Sequence, residues 1–134
     1  MAEDIRMNNF VTVADASYAY IEQVDGGQGK ISTTKLMENG GIFKFYSNIK
    51  AGSSIELPFK GGLIIVQNAS VVHGKACAII DSSGTGSILV AQNYINFFSE
   101  VSNKINIYNT GIGTKYIVKN SLNIDSVVSV IFIG

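Results

Sequence analysis

Short runs of β-branched and aromatic residues follow one another along most of this chain, each closed by glycine, asparagine or serine. That pattern predicts strands near 41–49, 54–59, 63–68, 71–80, 87–91, 95–98, 104–108, 115–118 and 127–133. The breakers between them include Lys50-Ala51-Gly52-Ser53, Lys60-Gly61-Gly62, Asp81-Ser82-Ser83-Gly84-Thr85-Gly86 and Asn109-Thr110-Gly111-Ile112-Gly113. Many short strands joined by glycine turns predict an all-β fold, a jelly-roll-like β-sandwich. Polar and apolar positions alternate in Lys104-Ile105-Asn106-Ile107-Tyr108-Asn109, so one face of that strand is expected to be wet. No alternation marks Leu63-Ile64-Ile65-Val66 or Val127-Val128-Ser129-Val130-Ile131-Phe132-Ile133, so both faces of those strands are expected to be covered.

Upstream of Gly40-Gly41 the pattern is different. A polar arm, Met1 to Asn9, precedes a short predicted strand Phe10-Val11-Thr12-Val13 and a turn Ala14-Asp15-Ala16-Ser17. Tyr18 to Val24 reads as a second strand, followed by the loop Asp25-Gly26-Gly27-Gln28-Gly29. Lys30-Ile31 resumes the extended chain. Ser32 is placed to cap a short helix over 33–38, which Asn39-Gly40 ends. The chain therefore divides into an N-terminal hairpin-and-helix segment, residues 1–40, and a β-sandwich, residues 41–134.

Charge sharpens this picture. Charged residues are 15% of the chain against 46% hydrophobic, so either small polar residues cover the surface or another chain does. Ten cationic residues balance ten anionic ones, which argues against nucleic acid as partner. The first 40 residues carry three cations and six anions, a net −3, leaving +3 on the remainder. Two surfaces with different partners are expected from that asymmetry. Met1-Ala2-Glu3-Asp4-Ile5 does not read as a secretion signal. No apolar stretch approaches the ~20 residues of a membrane helix, so no membrane insertion is expected.

Candidate chemistry is sparse. The single histidine, His73, has no metal-like spacing to Cys, Asp or Glu, and the single cysteine, Cys77, reads as a structural thiol. The body has four acids, Glu56, Asp81, Glu100 and Asp125, all far apart in sequence. Asp25-Gly26-Gly27-Gln28-Gly29-Lys30-Ile31 fails the phosphate-loop pattern at Ile31, and Gly111-Ile112-Gly113-Thr114-Lys115 precedes a strand rather than a helix. No catalytic residue, metal site or cofactor is expected. For sugar, Tyr46, Tyr94, Phe97, Phe98, Tyr108 and Tyr116 offer rings to stack, and Asn93, Asn96, Asn106 and Asn109 offer polar partners. The best ligand-binding candidates are Asn93, Tyr94 and Asn96, in one polar and aromatic stretch.

The chain closes on an apolar strand, 127–133, which exposed at a sheet edge invites aggregation. It must lie inside a sheet or in a subunit contact. Jelly-roll modules that trimerise often place such a strand at the threefold axis. A homotrimer is expected on that ground, with Val128, Val130 and Phe132 at its interface.

The stretch Ala19-Tyr20-Ile21-Glu22-Gln23-Val24-Asp25-Gly26-Gly27-Gln28-Gly29-Lys30-Ile31-Ser32-Thr33-Thr34-Lys35-Leu36 resembles a pattern near the start of bacteriophage tail-fibre, baseplate and head-fibre proteins. In both, a strand ending in Val leads to a glycine turn, a Lys-Ile-Ser/Thr element and a short helix with Leu. The match covers about the first third of the chain, and the fibre that follows is unusually short. The resemblance implies a non-enzymatic virion structural protein: a fibre, baseplate or capsid-decoration component assembled in the host cytoplasm. It implies attachment through the N-terminal segment, contact with other virion proteins, and a host-surface glycan or capsid surface as ligand. The alternatives are a carbohydrate-binding module outside any virion and, third, a small hydrolase using Asp81 or Glu100.

Overall fold

The computed structural model describes residues 17–22, 26–70 and 74–134. The predicted strand at 10–13, the turn at 14–16, Asp25 and His73 lie outside the described residues. The chain forms two compact units, residues 1–36 and 37–134.

In the first unit, β1 (Tyr18–Glu22) and β2 (Gln28–Ser32) pair antiparallel, Tyr18 opposite Ser32 and Glu22 opposite Gln28. The Lys30 ammonium stands 4.6 Å from the centre of the Tyr18 ring. Helix α1 (Thr33–Asn39) starts as predicted: the Lys35 amide donates to Ser32 Oγ at 3.0 Å. It ends where Gly41, at φ +81°, turns its amide back to the Glu38 carbonyl. None of the described side chains of the hairpin and helix is buried. Their apolar groups add little stability unless something else covers them.

The second unit is a β-sandwich. Its strands are β3 (Ile42–Ile49), β4 (Ser54–Glu56), β5 (Gly62–Asn68), β6 (Ala76–Ile80), β7 (Gly86–Val90), β8 (Ile95–Phe97), β9 (Ile105–Asn109), β10 (Tyr116–Asn120) and β11 (Ser126–Ile133). One sheet runs β3-β11-β5-β6-β7, antiparallel throughout; the other runs β4-β10-β9-β8. The outer turns nest as in a jelly roll: the first body strand pairs with the last, and the second with the last but one. The inner strands depart from that winding, since β5, β6 and β7 complete one sheet as a meander.

β8 and β9 pair parallel. Parallel neighbours ordinarily need a crossover of about a dozen residues or more. A three-residue strand needs only a short return path. The connection makes it with left-handed backbone at Phe98 (φ 71°) and Asn103 (φ 61°).

The two sheets close on one core. From the five-stranded sheet come Ile49, Ile64, Val66, Ala76, Ala78, Ile80, Val128, Val130 and Phe132; from the other side come Leu57, Ile95, Phe97, Ile105, Ile107, Tyr116 and Val118. Val128, Val130 and Phe132 have no accessible surface in the single chain. The structure thus corrects the interface expected there. β11 is a central strand, bonded on one side to β3 and on the other to β5, and those three side chains point into the protein's own core.

Two further expectations change. Asn106 is fully buried rather than wet. In β5 and β11 one side chain in two is buried and the other is partly open, so these strands are covered on one face, not both.

Truncating Phe132 to Ala is expected to lower the unfolding free energy by about 3–5 kcal/mol, the usual range for a buried aromatic. Half-exposed Ile133→Thr should cost less than about 1 kcal/mol. Chemical denaturation measures both. Unchanged stability in Phe132→Ala, with a changed molecular mass, would return that residue to an interface.

Candidate functional site

The outer face of the four-stranded sheet is polar, and its one dense cluster of charge centres on Glu100. Register places Asn96, Asn106 and Lys119 side by side across β8, β9 and β10, and Tyr108 beside Ile117. Glu100, just beyond β8, takes the Lys119 ammonium at 2.6 Å, the Ser121 hydroxyl at 3.1 Å and the Tyr108 hydroxyl at 3.0 Å. Below it, Asn106 Nδ2 donates to the Val101 carbonyl at 2.9 Å and to Ser121 Oγ at 3.0 Å. Its Oδ1 accepts the Val101 amide at 3.0 Å. The asparagine holds down the loop that reverses the chain between the two parallel strands.

The protonation of this cluster suits a tether. Hydrogen bonding to Lys119 and then Tyr108 holds the Glu100 carboxyl below its ordinary value. The bond to Glu100 holds the Lys119 ammonium above its own, and burial pushes the Tyr108 phenol up. Every shift leads away from neutrality, whereas a general acid or base works best with a pKa near the working pH.

Asp81 is similar. Its carboxylate accepts the Ser83 hydroxyl and amide and the Thr85 hydroxyl, and the Ser83 bonds, first among these, lower its pKa. Among the described residues no group of three His, Cys, Asp or Glu side chains is gathered to hold a metal ion.

The sugar candidates scatter. Asn93 and Tyr94 are exposed in the turn Gln92-Asn93-Tyr94-Ile95, closed by a 3.2 Å bond from the Ile95 amide to the Gln92 carbonyl. Asn96 is half-buried, and its amide nitrogen is engaged by Ser99. Tyr116 and Phe97 are core residues, and Asn106 is spent on its loop, so these three do not meet a ligand. The Tyr116 hydroxyl instead donates at 2.7 Å to the Asp81 carbonyl, tying β10 to the end of β6. Tyr46 stands 71% exposed on β3, far along the sequence from Tyr94 and on the opposite sheet. A shallow groove of about 410 Å³ runs beside it, lined by Lys44, Phe45, Tyr46, Ser129 and Ile131.

The outer face of the five-stranded sheet is the larger feature. Register builds two rows across it. Ile42, Ile133, Leu63 and Ile79 lie abreast, and so do Lys44, Ile131, Ile65, Cys77 and Val90. Lys44, at one margin, is the one charged group in these rows. Ile42 is 39% exposed, Ile79 51%, Val90 49% and Ile133 48%; Lys44 is exposed as well, and Leu63, Ile65, Cys77 and Ile131 are half-buried. Single exposed apolar residues are ordinary on protein surfaces, but a contiguous apolar sheet face marks a contact surface.

Sequence reading missed this face because its members come from five strands. The available signal was the phase of Ile42, Lys44 and Tyr46 in β3, which are outward, against Phe43 and Phe45, which pack on the core. Comparison of the chain with protein-family models, with curated proteins and with solved structures finds no match.

The titration shifts predict a stability plateau with two limbs. Glu100 is held below 4.5, so its contribution is present above that pH and is lost as acid carries the solution through the lowered value. Burial, and then the Asp81 charge, raise Tyr116 above 10.0, so its contribution is present below pH 10.0 and is lost as the pH rises through the raised value. Glu100→Gln should flatten the acid limb. Tyr116→Phe should flatten the alkaline one and cost about 1 kcal/mol at neutrality. Thermal unfolding against pH reads both.

Proposed function

We propose that this protein is a non-enzymatic structural component of a bacteriophage particle that works by association rather than by turnover. The observation that carries this reading is the apolar outer face of the five-stranded sheet, formed by Ile42, Ile133, Leu63, Ile79, Ile131, Ile65 and Val90. A face of that composition is costly to leave in water and gains by burial against another surface, at about 25 cal/mol per Å² of apolar area covered. The partners proposed are further copies of the chain and other virion proteins. The N-terminal segment, with its resemblance to phage fibre proteins, serves as the attachment end, and the low content of charge fits a surface shared among subunits. The polar face of the other sheet remains towards solvent.

A second reading rests on Tyr46, whose exposed ring borders the groove with Lys44 and Ser129. That arrangement suits a saccharide stacked on the ring and hydrogen-bonded at its edge. Here the ligand is a host-surface glycan, bound by the virion protein or by a free-standing carbohydrate module.

Light scattering over a range of concentrations tests the first reading. The full chain should exceed the monomer mass, and the pair Ile79→Lys with Ile133→Lys should return it towards monomer without loss of fold. A chain that remains monomeric at high concentration defeats the self-association reading. Glycan-array binding abolished by Tyr46→Ala would move weight to the second, whereas no glycan binding would remove it.

A further inference from the structure

The exposed edges of the two sheets are not equally protected. Natural sheets guard their edges with charge, proline, short strands or bulges, because an open row of amides and carbonyls pairs readily with another chain. β4 and β8 are three residues long, and β4 carries Glu56, ion-paired to Lys115. β3 turns Lys44 and the half-polar Tyr46 outward.

β7 is different. All five of its residues are exposed, and three consecutive large apolar side chains stand open: Ile88 at 50%, Leu89 at 56% and Val90 at 49%. No charged residue lies between Asp81 and Glu100, and the chain's one proline, Pro58, is elsewhere. A bulge between Cys77 and Ala78 shifts the β6–β7 register but adds no charge to the free side. Among the described edge strands longer than three residues, β7 is the one with neither charge nor proline, and the bulge is its one guard.

We infer that β7 pairs antiparallel with β7 of a second copy across a two-fold axis, joining two five-stranded sheets into one. This deepens the self-association reading and rests on it. The occupant follows from the chemistry of the edge. An uncharged edge gives a charged partner nothing to pair with, while an identical edge brings neither repulsion nor an unpaired ion, and the chain as a whole has zero net charge. An antiparallel pair of identical strands is self-complementary, as a two-fold contact requires. It also continues the antiparallel order of the whole sheet.

Both faces gain from the pairing. Ile88, opposite buried Ala78, sits half-open at the margin of the core, where its copy would cover it; Val90, opposite Cys77, extends the apolar outer row onto the partner. Two paired five-residue strands make a small contact for a specific interface, so the association depends on concentration.

The test uses the full chain. Sedimentation equilibrium should show a monomer–dimer equilibrium, and Leu89→Lys, which puts like charges at the shared edge, should weaken it about tenfold or more. A two-fold axis at the centre of β7 brings residue 88 opposite its copy, within disulfide reach. Ile88→Cys with Cys77→Ser should therefore give a covalent dimer under oxidation, and Tyr46→Cys with Cys77→Ser should not. Three results separate the possibilities. A monomer at all concentrations overturns both the edge pairing and the self-association reading. Assembly that survives Leu89→Lys, forms no cross-link at residue 88 and yields to Ile79→Lys with Ile133→Lys overturns the edge pairing alone. A trimer mass with no cross-link at residue 88 overturns it as well.

Discussion

β11 lies between β3 and β5 and is bonded to β3 along its whole length. Most of what is distinctive in the body follows from that insertion. One face of β11 carries Val128, Val130 and Phe132, each opposite an inner residue of a neighbouring strand, and together they form the floor on which the second sheet closes. The other carries Val127, Ser129, Ile131 and Ile133 outward. A strand so rich in β-branched residues resists any other use: both its backbone edges must be paired, and one of its faces must be dry. The same insertion places a long apolar strand, an aggregation hazard at an edge, in the interior of a sheet.

The consequence is a sandwich with unlike outer faces. On the four-stranded side, charged and amide side chains engage one another: Glu100 with Lys119, Tyr108 and Ser121, and Glu56 with Lys115. That side has its hydrogen bonds satisfied and loses by desolvation if covered. The five-stranded side presents two rows rich in isoleucine, leucine and valine beside a polar row of Tyr46, Ser129 and Gln67, and the apolar rows gain by being covered. The difference does not arise from strand composition alone, since β9 and β10 are also rich in isoleucine and valine. It arises from which phase of each strand the core consumes.

Buried polar groups fix the irregular parts. Asn106 holds the loop at Val101, and Asn120 reaches the Ile49 and Ile124 carbonyls at 2.8 and 2.9 Å while its Oδ1 accepts the Leu122 amide. Each asparagine spends both ends of its amide, which is the condition for burying one without penalty. Asn68 Nδ2 and Ser126 Oγ are buried with no hydrogen-bond partner among the described residues. Gly86, at φ +155°, opens β7 so near the Ile79 carbonyl that a Cβ would stand 1.9 Å from its oxygen. The backbone there admits glycine and little else.

Strand existence was legible in the chain itself. Nine body runs were marked by β-branched clusters and glycine breaks, and the nine strands of the sandwich fall on or within a few residues of them. The Ser32 cap was equally local, because a hydroxyl three residues before a free amide needs no distant partner. Pairing and phase were not legible. Asn106 alternates with isoleucines and reads as solvent-facing, yet a loop from the same chain folds over it; Val128, Val130 and Phe132 read as surplus apolar surface, yet the opposite sheet was there to receive them. A run of residues states how much apolar surface must be hidden. Which side of each strand is hidden, and which edge is left open, depends on neighbours far off in sequence, and only the assembled tertiary structure supplies those.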